Sequence, residues 1–246
     1  SVKLPGFRGG NRETIELPEI QTQMMRELKK AGKPLVYVNF SGSAIALERE
    51  AQLCDAILQA WYPGQAGGEA IASVLFGDYN PAGRLPVTFY KNTAQLPDFE
   101  EYSMKGRTYR YMTEEPLFPF GHGLSYSTFS YGEARLSASK MQKGTTLSLI
   151  VPVSNTSQLD GEEVVQLYLR YPEDKEGPVK ALRAFKRVAI GKGATQEVKF
   201  DLCEEDFEWF DPSTNTMRPR SGEYEILYGG TSTAEGLKKV KVMCEF

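Results

Sequence analysis

The sequence predicts a partial α/β domain, built on an open and mostly parallel sheet, followed by an all-β sandwich. Three observations predict this. Helical and strand-like apolar patterns alternate from Leu17 to Phe89, the order expected of a layered α/β unit. After Ser125 no helical period of useful length survives, and short runs rich in β-formers take over. Turn signals separate those runs at short intervals: Asn155–Thr156–Ser157, Asp160–Gly161, Gly191–Lys192–Gly193 and Asp211–Pro212–Ser213. The 246 residues have room for two ordinary domains, expected as 1–124 and 125–246 with the boundary near Leu124.

Taken in order, Ser1 to Gly10 is loop-like. Leu17 to Leu28 predicts a helix, with Pro18 in its first turn, where the missing N–H costs nothing. Ile20, Met24 and Leu28 fall at i, i+4 and i+8 and predict its apolar stripe. Ala31–Gly32–Lys33–Pro34 ends it. Leu35 to Phe40 is nearly continuous in apolar character, as a strand covered on both faces would be. Ser41–Gly42–Ser43 turns the chain, and Ala44 to Leu53 is ambiguous, with room for a short helix. Ala56 to Tyr62 reads as a second strand, broken by Pro63–Gly64. Gly67–Gly68 opens a helix with Ala70, Ile71, Val74 and Leu75 on one face, and Gly77 is placed to cap it. Asn80–Pro81–Ala82–Gly83 is a turn. Leu85 to Phe89 reads as an edge strand, because Pro86 cannot donate to a ladder. Lys91 to Thr113 is polar and irregular. Strands are then expected at Thr145–Val153, Val164–Arg170, Leu182–Ile190, Thr195–Leu202, Gly222–Tyr228 and Leu237–Val242.

Composition removes several classes of function. The formal net charge is −3 with both signs spread along the chain, whereas nucleic-acid binding wants a clustered basic face. No apolar run approaches the roughly 18–20 residues of a membrane-spanning helix. A single histidine, His122, builds no histidine-rich metal site, and Cys54, Cys203 and Cys244 show no zinc spacing. No metal or other cofactor is expected. Buried free thiols are the simplest reading of the cysteines, although Cys203 and Cys244 fall in the same expected β domain. Gly64–Gln65–Ala66–Gly67–Gly68 lacks the Gly-Lys-Ser/Thr ending of a phosphate loop. Asn39–Phe40–Ser41 and Asn155–Thr156–Ser157 fit the glycosylation pattern, which is short enough to arise by chance.

One set of motifs is specific in order and spacing. It comprises Trp61–Tyr62–Pro63–Gly64–Gln65, Gly67–Gly68, Leu75–Phe76–Gly77–Asp78, Asn80–Pro81, Gly83–Arg84–Leu85–Pro86 and Pro119–Phe120–Gly121–His122–Gly123–Leu124–Ser125–Tyr126. With these the chain closely resembles glycoside hydrolase family 3, the family of β-glucosidases and β-xylosidases. The resemblance runs from about Gly9 to the C-terminus. It implies the C-terminal part of that family's α/β domain followed by its fibronectin type III-like domain. It also implies a parent enzyme that cleaves terminal β-linked sugars with retention. In the family the nucleophilic aspartate lies on a preceding barrel domain, and the acid/base glutamate lies on a loop just before a Gly-Asp-Arg-like element. Here that element is Gly10–Asn11–Arg12, and Ser1 to Gly10 holds no glutamate. No catalytic residue is therefore carried over, and the chain by itself is expected to be inactive. Family habit places the parent in the periplasm or outside the cell.

The candidate substrate-side residues are Asn11, Arg12 and Ser41, with Tyr109 and Arg110 behind them. Asn11 stands where the family usually has aspartate. Ser41 follows the first strand of the α/β layer, with Asn39, Phe40 and Gly42, at the carboxyl end where open α/β sheets bind ligands; it also reads simply as the turn. Thr108–Tyr109–Arg110–Tyr111 reads as a sugar-contacting loop or as an ordered linker. Among other carboxylates, Glu48 and Glu50 face different ways on a helix, and Glu162–Glu163 and Glu204–Glu205–Asp206 sit beside turns, where charges are usually solvated. Glu13 is the best placed of this weak set. His122 reads as a packing residue in a turn. The expected partners are an oligosaccharide or β-glycoside and the parent's N-terminal barrel domain. Because a partial sheet exposes an edge, a second copy of the chain is a further candidate partner. A non-catalytic carbohydrate-binding or assembly module is the alternative reading.

Overall fold

The computed structural model describes Phe7–Arg8 and residues 11–246. The chain divides into two compact units. The first takes the chain up to Tyr79 with Val87–Ser103 and Glu114–Pro119, and the second takes Asn80–Pro86, Met104–Thr113 and Phe120–Phe246.

In the first unit β1 (Phe7–Arg8) pairs antiparallel with β2 (Asn11–Arg12). Helix α1 (Glu19–Lys29) follows, then β3 (Val36–Asn39), α2 (Glu48–Leu53), β4 (Ala56–Gln59) and α3 (Gly67–Phe76). Strands β3 and β4 are parallel, from Val36 opposite Ala56 to Asn39 opposite Gln59. Leu17, Met25, Ile45 and Leu47 form the buried core, packed by Leu35, Tyr37, Ile57 and Leu117.

The ambiguous stretch before β4 holds the short helix for which the sequence left room. The structure corrects three other sequence expectations here. The stripe expected to bury α1 is instead exposed: Ile20, Met24 and Leu28 are 70%, 55% and 51% accessible. The helix is rotated so that Thr22 and Met25 face inward, because the Thr22 hydroxyl donates to the fully buried Glu50 carboxylate on α2. Finally, β4 ends at Gln59, short of Tyr62, and Leu85–Phe89 is not a strand. Trp61 takes a left-handed backbone, φ 53°, which stops the extended run. In the second segment Phe89 makes one isolated bridge to Phe118, and Pro86 has no amide to continue a ladder. The expected glycine cap is present: Gly77 has φ 86° and its amide bonds the Val74 carbonyl.

The second unit carries one helical turn, α4 (Thr108–Tyr111), and a two-sheet sandwich. Its strands are β5 (Phe129–Tyr131), β6 (Arg135–Leu136), β7 (Lys140–Gln142), β8 (Leu147–Asn155), β9 (Gly161–Arg170), β10 (Ala181–Ile190) and β11 (Thr195–Leu202). After them come β12 (Glu208–Asp211), β13 (Thr216–Pro219), β14 (Gly222–Gly229) and β15 (Leu237–Glu245). One sheet has the order β10-β9-β14-β15-β7, the other β11-β8-β5 with β6 also on β8, and β12–β13 is a separate hairpin. Residues of β8 alternate strictly, with Leu147, Leu149, Val151 and Val153 buried. They meet Val165, Leu167, Leu169, Val198, Phe200, Ile226 and Val242 in one core. Period-2 alternation gives each sheet one such inner face.

Strand β9 departs from that rule, because its other face is buried too. Gln166 and Tyr168 are covered by the chain around Phe120. The Gln166 amide donates to the carbonyls of Gly121 (3.2 Å) and Gly230 (2.7 Å), and the Tyr168 hydroxyl donates to the Gln166 carbonyl oxygen. Tyr109 stacks on Phe120 at 4.4 Å between ring centres and meets Tyr168 edge-on at 5.6 Å. Gly121 has φ 77°, and a Cβ there would collide with Gln166, so the turn requires glycine. Leu85 joins this layer through its amide to the His122 carbonyl and its carbonyl to the Gly121 amide, both 2.8 Å. Burial, reinforced by the Arg84 charge, pulls the His122 imidazole below its ordinary pKa.

Glu163, expected on a solvated face, is 5% exposed. Arg84 reaches it with Nη2 2.8 Å from Oε1. Burial pushes the Glu163 carboxyl up, offset only in part by Arg84 and the Val164 amide. Glu204–Phe207 forms a single 3-10 turn, capped by Asp206 on the Cys203 amide. The two asparagines of the glycosylation patterns are buried and hydrogen-bonded, Asn155 to the Leu159 and Ile190 carbonyls and Asn39 to Gln59. The three cysteines are free thiols, and burial pushes Cys244 up to about 12.

Removing Arg84 leaves a buried carboxylate without its cation. Arg84→Met is expected to lower stability to urea by about 3–5 kcal/mol at pH 7. Glu163 titrates higher in the folded than in the unfolded chain, so the folded state binds more protons between its unfolded value near 4.5 and its raised folded value. Without Arg84, which holds the Glu163 pKa down, the carboxyl titrates still higher in the folded variant, which gains more from proton uptake than wild type, so the deficit should shrink as pH falls from 7 to 5. A deficit that is constant or grows over that range would contradict the assignment.

Candidate functional site

In the first unit, the carboxyl end of β3 opens into a cavity of about 800 Å³. The parallel register sets Asn39 opposite Gln59 at the last rung. The Asn39 amide donates to Gln59 Oε1 (2.6 Å), and its carbonyl oxygen accepts from the Tyr37 hydroxyl (3.0 Å). Gln59 in turn donates to the Ser41 carbonyl (3.0 Å). This chain of amides fixes the loop that follows β3. Ser41 closes the loop on itself, donating to the Ser43 carbonyl at 2.7 Å.

Aromatic faces complete the opening. The left-handed backbone at Trp61 carries Tyr62 across the loop, where its ring lies against Gly42. A Cβ at Gly42 would overlap that ring. Tyr62 is 79% exposed, and Phe40 is also exposed. Trp61 itself packs edge-on against Phe89 at 6.2 Å. The cavity thus joins aromatic surface to amides, carbonyls and a hydroxyl. That combination suits a neutral polyol better than a charged ligand.

The cavity offers no obvious proton-transfer pair. Among the described residues that line it there is no aspartate or glutamate. Burial, then the nearby Glu50 charge, pushes the Tyr37 phenol up, so it stays protonated. The same two causes, in the same order, raise Cys54. Glu50 lies behind the strands, with Oε1 on Thr22 and Oε2 buried without a partner among the described residues. Glu48 accepts from Asn92 at 3.2 Å. Glu13 is exposed. No group of three or more metal-ligating side chains is assembled among the described residues.

Of the sequence candidates, Ser41 lines the cavity. Asn11 and Arg12 contribute backbone to β2, and their side chains lie outside the described residues. Tyr109 and Arg110 belong to the second unit. There the Tyr109 hydroxyl accepts the Leu182 amide at 3.1 Å, and the Arg110 carbonyl accepts the Val179 amide at 2.6 Å. Sequence reasoning missed Tyr37 and Tyr62 in the lining of the cavity, and Gln59 in the hydrogen-bond chain that holds its loop. Gln59 was legible in principle, as the one long amide at the end of β4. Tyr62 was not, because its placement depends on the turn at Trp61.

Comparison with known proteins bears on this arrangement. Residues 6–126 match the glycosyl hydrolase family 3 C-terminal domain, and residues 163–232 match a fibronectin type III-like domain. The chain belongs to glycoside hydrolase family 3. Across 98% of its length it is 54% identical to a xylan 1,4-beta-xylosidase of Xylanibacter ruminicola, of which it covers 28%. A periplasmic beta-glucosidase of Salmonella typhimurium is 38% identical over 89% of the chain and is covered to 30%. Among solved structures, a β-glucosidase of Erythrobacter marinus superposes with a TM-score of 0.84 at 37% identity, over 96% of this chain and 31% of the other. This family 3 chain therefore spans less than a third of the length of these relatives.

The amide relay should hold the loop beneath Tyr62. Asn39→Ala is expected to cost about 1–3 kcal/mol, because it strips buried partners from Tyr37 and Gln59. Amide hydrogen exchange at Gly42 and Ser43 should accelerate, while exchange in β8 and β9 is unchanged. Equal protection in both proteins would show that the relay does not hold the loop.

Proposed function

We propose that this chain is the C-terminal portion of a retaining, exo-acting β-glycosidase of the β-xylosidase or β-glucosidase type, hydrolysing terminal β-linked sugars. One observation carries the reading: sequence identity to a xylan 1,4-beta-xylosidase extends through nearly the whole chain at 54%. Retaining hydrolysis needs two carboxyl groups about 5–5.5 Å apart, and the described lining of the cavity supplies neither. We assign the nucleophile to a barrel domain on the N-terminal side of the parent protein, and we assign the acid/base to no residue of this chain. In this reading residues 1–124 are the end of an open, mostly parallel α/β domain, and residues 125–246 are a fibronectin type III-like sandwich. The parallel β3–β4 pair and the two-sheet topology support that division.

Asn11, Arg12 and Ser41 are the proposed residues for substrate-side or loop-positioning roles, with Tyr109 and Arg110 as second-line substrate-binding candidates. The exposed rings of Tyr62 and Phe40 would meet the apolar face of a sugar. The parent is placed in the periplasm or outside the cell, in keeping with the periplasmic β-glucosidase among its relatives. No helix among the described residues is long and apolar enough to cross a membrane.

The same rings and amides favour a second reading, in which the chain binds carbohydrate without cleaving it. Assays with p-nitrophenyl β-xyloside and β-glucoside bear on the first reading, and calorimetry with xylobiose and cellobiose on the second. The purified 246-residue chain is expected to show no turnover, and a longer protein that includes the preceding barrel should hydrolyse one or both substrates. Robust hydrolysis by the chain alone, lost in Glu13→Gln, would overturn the assignment of the catalytic groups. Disaccharide binding by the chain, weakened in Tyr62→Ala, would support the second reading.

A further inference from the structure

The cavity at the carboxyl end of β3 is walled by three elements: the loop after β3, the start of α1 with Leu17, Pro18 and Gln21, and Tyr62 beyond β4. Much of the polar capacity of the loop wall is already used. Asn39 is only 3% exposed, with its amide on Gln59 and its carbonyl oxygen on the Tyr37 hydroxyl. The Ser41 hydroxyl donates to the Ser43 carbonyl at 2.7 Å and accepts the Ser43 amide at 3.3 Å. These groups hold the shape of the cavity and have little left to offer a ligand.

Three other lining side chains differ from these. Gln21, Ser43 and Tyr62 are exposed at the cavity. Among the described residues no hydrogen bond engages the Gln21 amide or the hydroxyls of Ser43 and Tyr62. Gln21 precedes Thr22, whose hydroxyl on Glu50 fixes the rotation of α1. The contact that turns Ile20 and Met24 outward therefore also sets Gln21 at the cavity wall. Tyr62 rests on the bare backbone of Gly42. A glutamine amide presents a carbonyl oxygen and two N–H donors side by side, which match adjacent hydroxyls on a sugar ring. Among the described residues no charged side chain lines the cavity, so nothing there compensates a charged ligand for lost water. Its volume of about 800 Å³ falls within the roughly 300–1,000 Å³ of pockets that hold drug-sized ligands, room for more than one sugar ring.

Given the cavity as a sugar site, on which this inference rests, we propose that Gln21, Ser43 and Tyr62 carry the polar recognition of a neutral β-linked disaccharide or trisaccharide, and that Ser41 positions the loop. The Phe40 and Tyr62 rings meet the apolar faces of the sugar units. The free amide and hydroxyls, on separate walls, meet its hydroxyl edges.

The test is an NMR titration of the nitrogen-15-labelled 246-residue chain with xylose, xylobiose and xylotriose, and in parallel with glucose, cellobiose and cellotriose. The Gln21 side-chain amide signals, assigned by their loss in Gln21→Met, should shift saturably in at least one series, with tighter binding of the disaccharide and trisaccharide than of the single sugar. Gln21→Met keeps the stem without the amide, and Tyr62→Phe keeps the ring without the hydroxyl. These two and Ser43→Ala should each raise the dissociation constant by about threefold to tenfold. Gln23→Ala, at an exposed position of α1 that does not line the cavity, should leave it unchanged. Affinity should be the same from about 50 mM to about 500 mM salt, because no charge takes part. The same spectra check folding, and if Gln21→Met does not fold, Ser43→Ala and Tyr62→Phe carry the comparison. No saturable shift in either series overturns the sugar-site reading and the proposal together. Saturable binding that leaves the Gln21 amide signals unmoved, or that is as tight in folded Gln21→Met as in wild type, leaves that reading standing and overturns the proposal.

Discussion

A strand buried on both faces must find partners for every polar group that it carries, and β9 is such a strand. Its inner face supplies Val165, Leu167 and Leu169 to the sandwich core. Its outer face carries Gln166 and Tyr168, and Glu163 is buried near its start. An unpaired amide or carboxylate there would be costly, and within the sheet Tyr168 satisfies only the Gln166 carbonyl oxygen. The partners come instead from distant sequence: the Gly121 and Gly230 carbonyls for Gln166, and Arg84 for Glu163. This requirement brings residues 80–86 and 120–126, which precede the sandwich in the chain, into the same compact unit.

A comparable constraint shapes the cavity of the first unit. The parallel register of β3 and β4 places two amides side by side at the strand ends. Linked to Tyr37 and the Ser41 carbonyl, they leave a neutral, hydrogen-bonded floor beneath two exposed aromatic rings. The buried carboxylate of this unit, Glu50, is turned toward α1. Among the described residues no carboxylate lines the cavity, so its polar surface is one of amides, carbonyls and hydroxyls.

Where sequence reasoning failed, it failed on direction more than on pattern. The period of Ile20, Met24 and Leu28 is genuine, yet those residues point outward because Thr22 is held by Glu50. Leu85–Phe89 has the apolar character of a strand, but a strand also needs a neighbour, and Pro86 removes one of the donors that would bind it. Glu163 has the composition of a solvated position, and Arg84, 79 residues away in the chain, together with the Val164 amide makes its burial tolerable. The short β12–β13 hairpin and the bulge of β10 between Leu182 and Ala184 left no periodic signature, because each depends on one or two residues.

The sequence by itself determined the family, the succession from an α/β layer to an antiparallel sandwich, and the six long strands, since these follow from local apolar period, turn residues and an ordered set of motifs. Only the tertiary structure decided which face of α1 is buried, how Tyr62 lies over Gly42, and that Arg84 meets Glu163. Each of these is fixed by a hydrogen bond or ring contact between residues far apart in the chain, and no local pattern encodes such a contact.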